Sequence, residues 1–294
     1  MISAIALLLA WQGAVISGSR PSLRIELASI ERESGGFLGV AVINTADGST
    51  VLYRAHQRFP MCSTFKLLAV AEVLARVDVG REHLARHVSF TEADLQKYAP
   101  VAQANLKTGF MKVEAMCQAA IEQSDNTAVN LLLRSMGGPK SVTHFCRSMG
   151  DEVTRLDRQE PDLNYGFPRD QRDTTTPLAM ATDARMLLLR TNLSSASRNL
   201  LTGWLLQSTT GAATLRAGLP PDWRVGDKTG SGGATNRNGA NNTRNDVAIA
   251  WPPGKPPMIV SAYLTGCTLN AAHRDAILAK VARLVSTGTP DAKE

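Results

Sequence analysis

Strand patterns occur at both ends of this chain and hardly at all between them. Phe37–Asn44 and Thr50–Arg54 are short apolar runs joined by a turn at Asp47-Gly48. Comparable runs return only at Trp223–Gly230, Asp246–Trp251 and Met258–Thr265. From about Cys62 to Gln207 the pattern is largely helical, broken by Gly and Pro loops. Strands separated by such a block are expected to meet in a single antiparallel sheet, with the block folding as its own layer. A helix over Pro21–Glu33, ended by Gly35-Gly36, and another over Ala271–Val285 are expected to cover that sheet. The predicted class is α+β. One lobe comprises residues 20–57 and 208–290, an all-helical lobe spans 58–207, and a small-molecule cleft lies between them.

The 294 residues are 44% hydrophobic and 20% charged, an ordinary globular composition with no 20–50-residue repeat. The net charge of +6 raises the question of nucleic acid. Arg20, Arg24, Arg32 and Lys97 are scattered singly among acidic residues, however, so a solvated surface and no nucleic-acid partner are expected. The apolar run Ile2–Ile16 ends in Ser17-Gly18-Ser19 and suits a signal-peptide core, although no Lys or Arg precedes it. Its alternative is a core helix. On the export reading residues 1–19 are a signal peptide and the protein is periplasmic or secreted. No second apolar run of about 20 residues follows, so no membrane contact is expected of the mature form. Monomer is the default expectation. The four cysteines, Cys62, Cys117, Cys146 and Cys267, lack the CxxC spacing of zinc or redox sites, and spacing alone assigns no pairing.

Four short motifs carry chemistry. In Ser63-Thr64-Phe65-Lys66, at the start of an apolar helical run, three-residue spacing brings Lys66 toward the Ser63 hydroxyl. The helix N-terminus favours an oxyanion there. About one Ser-x-x-Lys is expected by chance in a chain this long. Ser124-Asp125-Asn126 offers a proton-passing hydroxyl and an amide, and doubles as a helix N-cap cluster. Glu160-Pro161-Asp162-Leu163-Asn164 places a carboxylate and an amide where they can hold one water, or is a capped surface loop. Lys228-Thr229-Gly230 lies on a strand whose Gly admits close approach of a substrate. A second copy, Lys107-Thr108-Gly109, has no strand pattern around it.

Singly each motif has a bland reading. In this order over residues 63–230, the set resembles class A serine β-lactamases. The resemblance extends over about residues 37–285 and includes Phe59-Pro60-Met61-Cys62, Asp173-Thr174-Thr175 with Pro177, and Trp251-Pro252. It implies a two-lobed serine β-lactamase/transpeptidase-like fold with a five-stranded antiparallel sheet, and hydrolysis of β-lactam antibiotics without a cofactor. By the same resemblance Ser63 is the nucleophile, and Lys66, or Glu160 through a water, its base. Ser124 relays a proton to the leaving nitrogen, and Glu160 with Asn164 positions the deacylating water. Asn126 binds the substrate side-chain amide, and Thr229 and Ser231 receive its carboxylate beside Lys228 and Gly230. The backbone N–H groups of Ser63 and Ser231 form the oxyanion hole. Arg158 and Asp173 pair across the neck of the Glu160 loop, whose Glu160–Pro161 bond is cis in the family. Tyr98 is either an aromatic gate at the cleft mouth or an ordinary partly buried tyrosine. Arg244 is either a carboxylate-binding guanidinium or a solvent-facing residue.

Some positions depart from the family. Gly232 stands where some carbapenemases carry a disulfide partner for the residue matching Cys62. Val70 stands opposite Cys117, so neither bridge is expected. The stretch 232–242 is long and rich in Gly and Asn. His83 and His87 lie four apart on an expected helix, but no Glu follows His83 and no third ligand is evident, so no metal site is expected. Two alternatives are a penicillin-binding transpeptidase, which the Glu160–Asn164 pair argues against, and a non-catalytic binding protein, which has no need of four intact catalytic side chains.

Overall fold

The computed structural model describes residues 22–165, 170–232 and 242–287. The apolar run at 2–16 lies outside them, as do residues 233–241 of the Gly- and Asn-rich stretch. The strands are β1 (Phe37–Asn44), β2 (Thr50–Tyr53), β3 (Phe59–Pro60), β4 (His87–Ser89), β5 (Phe110–Lys112), β6 (Thr174–Thr175), β7 (Arg224–Gly232), β8 (Thr243–Trp251) and β9 (Met258–Thr265). The helices are α1 (Leu23–Ser34), α2 (Phe65–Asp78), α3 (Pro100–Ala104), α4 (Val113–Glu122), α5 (Asn126–Met136), α6 (Lys140–Ser148), α7 (Pro177–Leu189), α8 (Ser195–Leu206), α9 (Leu215–Gly218) and α10 (Ala271–Thr287).

Five strands form one antiparallel sheet in the order β2-β1-β9-β8-β7, so the two ends of the chain pair through β1 and β9, as expected. Side chains alternate between the faces of a strand. On one face Leu38, Val40, Val260 and Leu264 pack with Leu27 of α1, Leu215 of α9, and Ile277, Leu278 and Val281 of α10. On the other, Ala41, Ile43, Val247, Ile249 and Tyr263 join a larger core built from α2, α4, α5, α7 and α8. Each face therefore buries apolar surface, at roughly 25 cal/mol per Å² removed from water. The helices Leu23–Ser34 and Ala271–Thr287 fall where the sequence pattern put them. Gly35 stops the first in the left-handed region at φ 65°.

The block between the strands carries two small ribbons, β3 with β6 and β4 with β5. The second corrects the expected helix at 83–87. His87 begins β4, and its ring packs on Phe110 of β5 at a centroid distance of 4.4 Å. The four-residue spacing of His83 and His87 thus does not place them on one helical face.

Candidate active site

The turn that carries Ser63 is fixed by the helix after it and by the sheet beside it. Cys62–Thr64 form a 3₁₀ turn that runs directly into α2, so Ser63 sits at the positive end of a 14-residue helix. The turn is pinned from the sheet side. Asn245 of β8 donates to the carbonyls of Pro60 and Met61 at 2.8 and 3.1 Å, and the hydroxyls of Thr64 and Tyr263 share a hydrogen bond at 2.9 Å. Gly230 of β7 allows the approach: a Cβ there would stand 2.7 Å from the Met61 carbonyl oxygen.

Lys66, one turn along α2, is fully buried. Its ammonium donates to the Ser124 carbonyl at 2.8 Å, to Ser124 Oγ at 3.2 Å and to Asn126 Oδ1 at 2.5 Å, and it pairs with Glu160 Oε1 at 3.2 Å. Ser63 Oγ instead donates to Glu160 Oε1 at 3.0 Å. The spacing that suggested a Ser63–Lys66 contact therefore yields two groups that share one carboxylate oxygen. Burial pushes the Lys66 ammonium below its usual range, and the Glu160 charge opposes that shift.

Ser124 lies between two lysines, with its Oγ 3.2 Å from Lys66 Nζ and 3.1 Å from Lys228 Nζ. Its backbone is left-handed, at φ 58°. Asp125 holds that shape as the N-cap of α5. One carboxylate oxygen accepts from Ala128 N, and the other from Val101 N and Ala102 N of α3. Lys228 is fully buried on β7, and its ammonium is depressed to about 7 by burial first and by Lys66 second.

Glu160 is 1% exposed, and both of its oxygens are engaged. Oε2 accepts from Asn164 Nδ2 at 2.6 Å, and the Glu160–Pro161 peptide is cis. At the root of this loop, Asp173 Oδ1 accepts from the backbone N–H of Asp157 and Arg158, while Oδ2 takes Arg158 Nε at 2.6 Å. Asp173 is 0% exposed, so the pair is buried at its acidic end.

Nine of the twelve residues singled out from the sequence line one cleft of about 330 Å³: Ser63, Tyr98, Ser124, Asn126, Glu160, Asn164, Thr229, Ser231 and Arg244. Lys66 and Lys228 lie beneath it, and Gly230 backs it on β7. Tyr98 is exposed, and its carbonyl accepts from Asn126 N at 3.0 Å. Arg244 turns into the cleft, away from the solvent-facing alternative. It donates to Ser231 Oγ at 2.7 Å and is held by Asp275 Oδ1 at 2.5 Å. All four cysteines are free and buried, and a Cβ on Gly232 would stand 2.9 Å from Cys62 Sγ.

Three contributors escaped the sequence reading. Asn130 clasps the Glu160 backbone, donating to its carbonyl at 2.8 Å and accepting from its N–H at 3.1 Å. Its four-residue spacing from Asn126 on α5 was the available signal. Thr210, whose hydroxyl shares a hydrogen bond with Thr229 at 2.6 Å, and Asp275 carry no local pattern that marks them.

A β-lactamase enzyme family model matches residues 22–288. The chain belongs to the class A β-lactamases. β-Lactamase CTX-M-25 of Escherichia coli is 47% identical over 263 residues, covering 90% of this chain and 88% of that one. β-Lactamase OXY-2 of Klebsiella oxytoca is 42% identical over 288 residues, covering 98% and 96%. An ancestral class A β-lactamase of known structure superposes with a TM-score of 0.86 at 54% identity, covering 90% of this chain and 98% of that one. This β-lactamase thus shares with the ancestral enzyme the fold described above.

Proposed function

We propose that this β-lactamase works through an acyl-enzyme on Ser63 and clears it with water activated by Glu160. The contact that carries the reading is the shared Glu160 oxygen, which faces both Ser63 Oγ and Lys66 Nζ. In acylation Ser63 gives its proton to this Lys66–Glu160 pair and attacks the lactam carbonyl, and the lactam C–N bond breaks. The leaving nitrogen takes a proton from Ser124, which is resupplied from the lysine on either side. Asn126 holds the substrate amide. Lys228, Thr229, Ser231 and Arg244 receive its carboxylate, with Gly230 letting the strand lie close. The N–H groups of Ser63 and Ser231 stabilise the oxyanion, each worth about 2.7–4 kcal/mol in such holes. Glu160 and Asn164 then hold the water that attacks the ester.

The same reading takes 20–57 with 208–290, and 58–207, as the two lobes flanking the cleft. A monomer is the working unit in this reading. Export through residues 1–19 to the periplasm or medium belongs to this reading. Among the described residues no helix is long and apolar enough to cross a membrane. The test is incubation with a chromogenic cephalosporin, following colour and intact mass together. Sustained colour with no lasting adduct is expected, whereas a stoichiometric burst with a persistent adduct overturns the deacylation step.

A further inference from the structure

One row of residues crosses the sheet beneath the turn that carries Ser63. Gly230 of β7 stands directly opposite Asn245 of β8, and Asn245 directly opposite Tyr263 of β9. Directly opposed residues share one face of a sheet. All three meet residues 60–64. Gly230 supplies room, since a Cβ there would stand 3.2 Å from Thr64 N as well as 2.7 Å from the Met61 oxygen. Tyr263 reaches the Thr64 hydroxyl at 2.9 Å. Asn245 is fully buried between them and donates to two successive carbonyls, those of Pro60 and Met61.

Two features separate Asn245 from an ordinary core amide. The carbonyls it holds precede Cys62, a residue with a side chain at φ 46°. Such a left-handed residue persists only where its surroundings over-determine it. The Met61 carbonyl is fixed accordingly, accepting from Asn245 Nδ2 at 3.1 Å, Thr64 Oγ1 at 2.8 Å and Thr64 N at 3.2 Å. The second feature is Asn245 Oδ1, which is buried with no hydrogen-bond partner. An unsatisfied buried acceptor costs stability, and an apolar side chain of the same size avoids that cost. What the apolar side chain lacks is the pair of donated bonds.

We propose, resting on the Ser63 acyl-enzyme reading above, that Asn245 is a positioning residue that aligns the two N–H donors of the oxyanion hole. One donor, Ser63 N, belongs to the peptide that follows Cys62, so the left-handed turn sets its direction. The other, Ser231 N, lies on β7 one residue beyond Gly230. The Asn245 backbone pairs with β7 at Gly230, while its side chain grips the carbonyls before Cys62. A single residue therefore ties both donors to one frame. Such donors work only when aimed at the developing charge from about 2.7–3.1 Å. Without the two side-chain bonds the turn relaxes and the Ser63 N–H shifts relative to that of Ser231. The groups that receive the substrate's amide and carboxylate are untouched. Asn245 thus acts on the transition state rather than on substrate affinity.

Asn245→Leu keeps the size and removes both donors. The probe is phenylboronic acid, whose boron takes the serine oxygen as a fourth ligand and lays one hydroxyl where the oxyanion develops. Its inhibition constant is expected to rise by about tenfold or more, with kcat/KM for a chromogenic cephalosporin falling by a similar factor. Thermal melting of the same sample reports folding. Should Asn245→Leu not fold, Asn245→Ala removes the same donors with less bulk and carries the same expectation. The proposal is overturned if the boronic acid inhibits wild type and variant equally, even where the melting temperature falls, because Asn245 then only stabilises the fold. A rise in KM with the inhibition constant unchanged overturns it too. A wild-type enzyme that phenylboronic acid fails to inhibit overturns the Ser63 reading itself, and this proposal with it.

Discussion

Ser63 Oγ and Glu160 Oε1 stand 3.0 Å apart, while the other Glu160 oxygen is tied to the Asn164 amide at 2.6 Å. The carboxylate is thus oriented on one side by an amide and faces the Ser63 hydroxyl on the other. Glu160→Gln removes the charge and keeps the shape. It also removes the charge that opposes the burial of Lys66, so the variant shifts this amine further toward its neutral form. Acylation is expected to continue and release to slow by about 10²–10⁴-fold, the usual worth of general base help. Intact mass after a burst should show a lasting adduct, and turnover at the wild-type rate would sink the mechanism.

Asp173→Asn addresses the loop root. Asn tolerates the φ of 58° at this position, so the change isolates the charge. Both carboxylate oxygens are in use, and Arg158 loses its partner at 2.6 Å and keeps only Asp170 at 4.0 Å. Breaking one side of a buried pair typically costs about 3–5 kcal/mol. Arg158 is partly exposed, so the low end is expected. Thermal melting checks this, and deacylation should fall more than acylation because Glu160 hangs from this root.

Lys228 predicts a pH dependence of substrate affinity. Its folded pKa is about 7, below the usual lysine range, through burial and the neighbouring Lys66. An anionic substrate favours the charged form, so binding takes up a proton above pH 7. KM for an anionic cephalosporin should rise with pH above about 7, by at most about tenfold per unit. The linked stability has the opposite trend. Between about 7 and the unfolded lysine value the unfolded chain binds the extra proton, so this group makes stability rise with pH across that window and leaves it level below 7. A KM flat from pH 6 to 9 would contradict the assignment.

Asp275 offers a test of Arg244 from outside the cleft. Asp275→Asn weakens the 2.5 Å contact that aims the guanidinium at Ser231. A rise in KM of about tenfold, or about 1.4 kcal/mol, is expected with kcat little changed. Loss of kcat with KM unchanged would assign Arg244 to another step.

Local order explains why some elements are legible in the sequence. Strand β9, the start of β1 and the terminal helices follow from alternation and helical spacing, which involve near neighbours in the chain. The motif residues are legible because their types and order are specific. His83 and His87 were misplaced because a four-residue spacing fits a helix, while β4 forms only through its pairing with β5, more than twenty residues later. Thr210 and Asp275 were invisible for the same reason at longer range, while Asn130 showed only its spacing from Asn126.

The amino-acid order by itself determined the five strands, the covering helices and the side chains supplied to the cleft, because periodicity and turn chemistry act over a few residues. Which atom meets which was decided by the tertiary structure alone. Ser63 reaches Glu160 across 97 positions, Lys66 reaches Ser124 across 58, and Lys228 reaches Ser124 across 104. Contacts at such separations are set by how the sheet and helices pack, and so is the burial that lowers the lysines and commits Asp173 to its pair.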